Sequence, residues 1–120
     1  MISIKKYNYK LQYVWDDFIE KSNNGTIFQK QKFLNYHIDT TFIDYSLLFY
    51  NKKKLICVLP ATIKKISKEI VLRSHPGASY GGFIYKQLSF ALAQQIISCF
   101  DRHCARNLIS SFIFIQTPWI

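Results

Sequence analysis

The spacing of apolar positions in the first third of the chain predicts one strand followed by two helices. Ser3 to Tyr9 alternates weakly between apolar and polar residues and suits a short strand. Thr26 and Gln29 are spaced as a capping box and predict the start of the second helix. The first helix is predicted to bury a face of Leu11, Val14, Trp15, Phe18 and Ile19. The second helix is predicted to carry Phe33, Leu34, His37 and Ile38 on one face.

The middle of the chain predicts antiparallel strands. Residues 44–50 and 55–66 read as a hairpin, because the polar loop Asn51-Lys52-Lys53-Lys54 separates two apolar runs. Within the second run Leu55 to Leu59 is continuously apolar, which predicts a central strand. Pro60 cannot donate to a ladder and therefore predicts a bulge or an edge at that position. A further strand, Glu69 to Leu72, follows.

The last third predicts a helix and a strand. Ser89 is a suitable helix cap, and Asn107 is a suitable terminator. The last strand, Leu108 to Ile115, is apolar apart from two serines and is predicted to be covered on both faces. The helix between them is predicted to bury a stripe of Phe90, Ala93, Ile97, Phe100 and Cys104.

A glycine-rich stretch, Ser74 to Phe83, lies between two apolar strand segments and holds three of the four glycines of the chain. Glycine is favoured where the backbone needs positive φ or where another group approaches closely. Two interpretations stay open. The stretch is either a turn that reverses the chain or a polar-lined strand edge on which a ligand docks.

Composition limits the classes of protein to which this chain can belong. The chain has 120 residues, 49% of them hydrophobic, so it is predicted to be a single domain with a real core rather than a disordered protein. It contains no run long enough for a membrane helix and no signal-peptide core, which predicts a cytoplasmic protein without membrane insertion. The net charge of +9 comes mostly from short lysine runs, which read as solvated turns. Only three arginines are present and no recognition motif is visible, so specific nucleic-acid binding ranks third among the functions.

The three cysteines do not indicate a disulfide framework or a metal site. Cys99 and His103 are one helical turn apart and Cys104 adjoins them, but a zinc site needs three or four converging ligands. Cysteines buried on an amphipathic helix explain the pattern. No metal is predicted.

Several segments in a fixed order resemble the N-terminal part of the Fem-type, GNAT-like acyltransferases, which include the GNAT-family N-acetyltransferases. The resemblance runs from Trp15 to the last strand. The segments that carry it are Trp15-Asp16-Asp17-Phe18-Ile19, Asn24-Gly25-Thr26-Ile27-Phe28, Phe33-Leu34-Asn35-Tyr36-His37, Leu59-Pro60-Ala61, Ser74-His75-Pro76-Gly77 and Tyr80-Gly81-Gly82.

The residue pattern predicts the element order β-α-α-β-β-β-α-β, and the resemblance implies an α/β (α+β) fold in which a mixed, largely antiparallel sheet is flanked by helices. It implies transfer of an acyl group from an acyl-CoA-type donor to an amine, such as an amino sugar of a surface polysaccharide. His75 would act as a base, and Tyr80 would hydrogen-bond a substrate or leaving group. The substrate-binding positions carried over from the family are Ser74, Gly77, Ser79, Gly81 and Gly82.

Two departures from the family pattern qualify this expectation. The place of the glycine turn that cradles the cofactor pyrophosphate, Lys86-Gln87-Leu88-Ser89-Phe90, contains no glycine. Complete relatives also continue beyond a strand such as Phe112-Ile113-Phe114-Ile115, so residues 1–120 are expected to be a truncated GNAT-like domain that needs further sequence for activity. The alternative is a non-catalytic remnant or interaction subunit, which would self-associate or bind a complementary chain through the last strand.

Overall fold

In a computed structural model, the chain forms a mixed α+β fold that is described over residues 2–22, 43–66, 68–74, 83–86 and 89–113. The predicted α/β (α+β) class is confirmed. The strands are β1 (Ile2–Lys6), β2 (Ile43–Asp44), β3 (Leu47–Asn51), β4 (Lys54–Leu59), β5 (Ala61–Ile66), β6 (Glu69–Ser74), β7 (Ile84–Tyr85) and β8 (Ile109–Ile113), and the helices are α1 (Gln12–Lys21) and α2 (Phe90–Arg106).

The strands of the described residues form two four-stranded sheets. The first has the order β1-β3-β4-β7 and the second the order β2-β5-β6-β8. Every pairing is antiparallel except that of β6 with β8, which is parallel. Parallel strands need a crossover connection, and α2 lies on the path between them. As predicted, β4 is an interior strand, and the hairpin turns at Lys52 and Lys53.

The predicted hairpin of two long strands is broken at Pro60, where a bulge or an edge was predicted, but its division between two sheets was not predicted. Residues 44–50 and 55–66 each divide into two strands, because the ladder stops at Tyr45-Ser46 on one side and at Pro60 on the other. Pro60 has no N–H, so a regular ladder cannot continue there. The Ser46 hydroxyl accepts the Ala61 N–H at 3.2 Å and substitutes for a main-chain acceptor. We call this point the sheet junction.

Two apolar clusters cover opposite faces of the first sheet. Alternate residues of a strand point to opposite faces, so Leu48 and Val58 pack with Trp15 of α1, whereas Phe49 and Leu59 pack in the cluster with α2. The α2 cluster also includes residues of the second sheet. Helix α2 contacts β1 of the first sheet and β8 of the second, and therefore spans both.

The predicted buried stripe of α2 is wrong at two positions. Phe90 is 80% exposed and Ile97 is 53% exposed, while Ile96, Phe100 and Cys104 are buried. The helix carries apolar residues on more than one face, so its sequence allows two stripes, and the positions of the strands select between them. The predicted ends of the helix are confirmed: the Ser89 hydroxyl accepts the Leu92 N–H at 3.1 Å, and Asn107 caps the last turn.

Other predicted elements lie partly or wholly outside the described residues. These are the second helix from Thr26, with Phe33, Leu34, His37 and Ile38, and the end of the last strand. Leu108, the predicted first residue of that strand, instead lies in a turn with φ 58° and is 78% exposed. Neither described helix has the length and apolar character needed to span a bilayer.

Candidate functional site at the sheet junction

Most of the predicted site residues lie outside the part of the chain that the structure describes. Ser74 is the last residue of β6, and the chain is described again from Phe83, which precedes β7. The predicted residues between them are His75, Gly77, Ser79, Tyr80, Gly81 and Gly82. Their predicted roles as base, hydrogen-bonding group and substrate contacts stay predictions.

The backbone pairing shows where this segment leaves the second sheet. Ala61 pairs with Ser74, so the glycine-rich segment departs from β6 next to the sheet junction. At Arg73, the residue before Ser74, a row of paired residues crosses all four strands of the second sheet. The row consists of Asp44 of β2, Thr62 of β5, Arg73 of β6 and Ile113 of β8. Arg73 and Ile113 stand at the carboxyl ends of the two parallel strands. In open α/β sheets, ligands bind beyond the carboxyl ends of parallel strands.

Four polar side chains, Tyr7, Asp44, Ser46 and Thr62, lie at the sheet junction, and we call them the junction cluster. Ser46 donates to Asp44 Oδ1 at 2.9 Å, and Thr62 stands directly opposite Asp44 in the register. Tyr45 and Ala61 belong to the cluster under α2, so their strand neighbours in the junction cluster face the other way. Tyr7 reaches the same side, because its ring packs edge-to-face on Trp15 of α1 at 5.5 Å between centroids.

Two hydroxyls of the junction cluster have no hydrogen-bond partner among the described residues. They are Thr62 Oγ1, on a side chain that is 2% exposed, and Tyr7 Oη. Nearly all buried polar groups in folded proteins are hydrogen-bonded, because an unmet group costs its desolvation free energy. Two unmet hydroxyls beside a carboxylate therefore single out this place as one where a polar ligand group fits.

Burial is the largest influence on the pKa values of Asp44 and Tyr7 in the junction cluster. It raises the pKa of the Asp44 carboxyl, although the hydrogen bonds from Ser46 and the charge of Lys6 act in the opposite direction. Burial, with the charges of Asp16 and Asp44, raises the pKa of Tyr7 to about 12. Tyr7 is therefore a neutral hydroxyl at physiological pH. A carboxyl that is shifted in this way is a typical component of a functional site.

The junction cluster could not be read from the sequence as a site. Its members are separated by up to 55 positions, from Tyr7 to Thr62, and no motif spacing joins them. The local signal was the polar pair Asp44 and Ser46 within an otherwise apolar strand segment. That pattern also fits an ordinary strand end, so only the pairing of β2 with β5 brings Thr62 beside Asp44.

On the α2 side of the junction, Tyr45 and His103 form a second polar contact. Tyr45 Oη lies 2.9 Å from His103 Nε2, and Lys6 Nζ lies 4.8 Å from the centre of the Tyr45 ring. Burial lowers the pKa of His103 and raises that of Tyr45, so the pair is neutral at physiological pH. With His103 uncharged, the tautomer of its ring decides whether the tyrosine hydroxyl donates to Nε2 or Nε2–H donates to the hydroxyl.

The cysteines of the α2 cluster do not form a catalytic or metal site within the described residues. Cys57 and Cys104 are buried, and burial raises the pKa of both thiols, that of Cys104 to about 11. The Cys99 thiol donates to the Ile2 carbonyl at 3.5 Å rather than to His103. Over the described part of the chain, no group of three or more histidine, cysteine or acidic side chains is placed to hold a metal ion.

The N-terminus of α2 is the position where the resemblance to acyltransferases predicts the pyrophosphate turn. There the Ser89 side chain already accepts the free Leu92 N–H. Part of the segment, Gln87 and Leu88, lies outside the described residues. Comparisons of the chain with known protein families, with curated proteins and with solved structures found no match, so membership of the acyltransferase family stays a proposal.

Proposed function

We propose that this chain acts in N-acyl transfer, moving an acyl group from an acyl-CoA-type donor to an amine at the sheet junction. The observation that supports this best is the row Asp44, Thr62, Arg73 and Ile113, which puts a half-buried carboxyl in line with the carboxyl ends of two parallel strands. The glycine-rich segment that resembles the acyltransferase site leaves β6 at the next residue, Ser74.

In this proposal the junction cluster binds the acceptor. The Asp44 carboxylate attracts the ammonium form of the amine, and the Thr62 and Tyr7 hydroxyls accept its remaining N–H groups. Both hydroxyls lack a partner among the described residues, so binding would satisfy them rather than displace an existing bond. The acceptor would thus be held and oriented at the point where the glycine-rich segment begins.

The roles that the resemblance implies for His75 and Tyr80 would complete the acyl transfer. The bound ammonium first loses one proton to solvent; His75 then takes a second proton as the neutral nitrogen attacks the thioester carbonyl carbon to form a tetrahedral intermediate. The C–S bond then breaks, and the thiolate takes a proton from Tyr80. The products are an amide and the free thiol, and the proton on His75 returns to Tyr80 through solvent.

The proposal is tested by detecting the acylated product. The purified chain is incubated with acetyl-CoA and an amino sugar, and the N-acetylated sugar is quantified by mass spectrometry. Because the segment before α2 lacks the glycine turn, donor binding is expected to be weak, and acetyl-CoA is supplied at about 1 mM, where even weak sites fill. Asp44→Asn should lower kcat/KM about a hundredfold, the scale of a group that acts on the reacting amine.

Asp17→Asn is the matched control, because Asp17 forms an exposed ion pair with Lys21 on α1, at 3.1 Å. It should leave the rate unchanged. Absence of amine-dependent product from the wild-type chain would overturn acyl transfer by residues 1–120 alone and favour the interaction-subunit alternative. Equal rates for wild type and Asp44→Asn would instead remove the junction cluster from the reaction.

A further inference from the structure

A groove between β1 and α2 lies on the other side of the molecule from the junction cluster. It consists of two adjoining hollows of about 910 and 560 Å³ that share Ile2 and Arg102 in their linings. We call it the edge groove. Its strand side is formed by Ile2, Ser3 and Ile4, and its helix side by residues of α2 that include Cys99, Arg102 and Arg106.

The floor of the edge groove is an open strand edge. In the first sheet β1 is the terminal strand, and no strand of the described residues pairs with its outer side. The Tyr7 N–H donates to Ser46 on the β3 side, so by alternation the main-chain groups of Ser3 and Lys5 also point to β3. Those of Ile2, Ile4 and Lys6 then point outward. The Ile2 carbonyl confirms this direction, since it accepts from Cys99 of α2.

The charge of the edge groove is positive. Arg102 and Arg106 are exposed on the helix side, and no acidic side chain of the described residues lines either hollow. Lys6 stands at the end of the same strand. The polar side chains Gln94, Gln95 and Ser98 continue the groove toward the start of α2. An occupant of the groove therefore meets arginines on one side and main-chain hydrogen-bonding groups on the other.

We propose that the edge groove binds an extended acidic peptide, which adds a strand to β1 and directs acidic side chains at α2. Strand addition to an open edge is an established mode of peptide recognition: main-chain bonds supply affinity, and alternate side chains supply specificity. Because side chains of a strand alternate, every second residue of the peptide would face Arg102 and Arg106 and be acidic. Arginine suits this role because its planar fork matches a carboxylate.

A second copy of this chain fits the groove poorly. Its own β1 carries Lys5 and Lys6, and the whole chain has a net charge of +9. Pairing two such strands would bring lysines next to each other and to Arg102, and like charges across a strand pair are destabilising. Charge complementarity thus selects an acidic partner. This proposal does not depend on acyl transfer, because none of its residues belongs to the junction cluster.

The test uses a fluorescein-labelled peptide of alternating valine and glutamate, capped at both ends, in a fluorescence anisotropy titration at low salt. Two matched peptides serve as controls: one with lysine in place of glutamate, and one with every backbone nitrogen methylated. Binding of the acidic peptide should be saturable. Both controls should bind at least about tenfold more weakly, because one reverses the charge and the other cannot donate to a strand edge.

Variants of the chain test the two sides of the groove. Arg102→Gln with Arg106→Gln should weaken binding about fivefold, the scale expected for two exposed charge pairs. Lys10→Gln with Lys21→Gln removes the same charge from the region of α1, on the opposite face of the first sheet, and should change binding by less than about twofold. Hydrogen exchange should show new protection of the Ile4 and Lys6 amides in the complex.

Each other outcome overturns the proposal in a defined way. Equal binding of the acidic and lysine peptides would show that the charge of the peptide does not determine its binding to the edge groove. Equal binding of the methylated peptide would show anion attraction without strand addition. Protection of Ile4 and Lys6 in the free protein, together with a dimer in light scattering, would show that a second copy occupies the groove.

Discussion

The hydroxyl oxygen of Tyr45 lies 2.9 Å from Nε2 of His103, across 58 positions of sequence. Tyr45 belongs to the sheet junction and His103 to the last turns of α2, so this contact fastens the helix to the point where the two sheets meet. The ring centroids are 5.7 Å apart, and the side chains also pack against each other. The junction cluster and the edge groove therefore share one structural support, although they lie on opposite faces.

The first prediction concerns pH and His103. Burial lowers the pKa of His103 in the folded chain below its ordinary value of 6.5. Between the folded value and 6.5 the unfolded chain binds more protons, so the free energy of unfolding rises with pH in that window. The contribution is complete above 6.5 and is lost as the pH falls through the folded pKa.

Urea denaturation of wild type and His103→Gln between about pH 8 and pH 5 measures this effect. The difference between the two curves isolates His103 from the other histidines. It should shrink as the pH falls. Asp44 does not produce the same trend, because its raised pKa favours the folded state at acidic pH, in the window above 3.8. Parallel curves for wild type and His103→Gln would contradict the prediction.

The second prediction uses two phenylalanines of one helix. Phe100 is 1% exposed and its ring packs at 90° on that of Phe83, with 5.4 Å between centroids, whereas Phe90 is 80% exposed. Phe100→Ala should lower the free energy of unfolding by about 3–5 kcal/mol, because it leaves a cavity in the core. Phe90→Ala should change it by about 0.5 kcal/mol or less. Similar losses of unfolding free energy for Phe90→Ala and Phe100→Ala would contradict this prediction and support the buried stripe of α2 that the sequence predicts.

The third prediction concerns the cap of α2. The Ser89 hydroxyl accepts the Leu92 N–H at 3.1 Å, and Ser89→Ala removes that acceptor. The loss should be about 1 kcal/mol in the free energy of unfolding, while Ser89→Asp should keep the stability, because aspartate also caps helices. Ser98→Ala, at an exposed position within the same helix, is the control and should not destabilise the protein. An equal effect of both alanine variants would show that the cap bond contributes nothing.

The fourth prediction concerns thiol reactivity. The thiolate is the reactive form, and burial raises the pKa of Cys57 and Cys104, the latter to about 11. Cys99 is only partly buried. In the native protein a maleimide should therefore label Cys99 first, and the other two should react only after unfolding. Peptide mapping identifies the labelled residue, and Cys99→Ser should abolish the fast phase. Fast labelling of Cys57 would contradict its burial at the centre of the first sheet.

Local sequence determined the elements and several of their ends. Ser89 and Asn107 are caps because their side chains or backbone satisfy helix ends within one turn, and such contacts are visible from a few neighbouring residues. Pro60 likewise predicts a break in the strand from local sequence, because proline lacks the backbone N–H whatever the tertiary structure around it. The continuously apolar Leu55 to Leu59 likewise predicted an interior strand, and β4 is one.

Only the tertiary structure decided the rest. Phe90 and Ile97 were predicted to be buried, but an apolar residue is buried only if another element covers its face, and α2 turns Ile96 toward the sheets instead. Pro60 marks the break locally, but the division of the hairpin between two sheets depends on pairing across the junction, where the Ser46 hydroxyl accepts the Ala61 N–H. Thr62 meets Asp44, and Tyr45 meets His103, through pairings of distant segments that no local spacing encodes. The sequence by itself thus determined the caps of α2, the break at Pro60 and the interior position of β4, whereas long-range pairing decided how the strands divide between two sheets and which polar groups share a site.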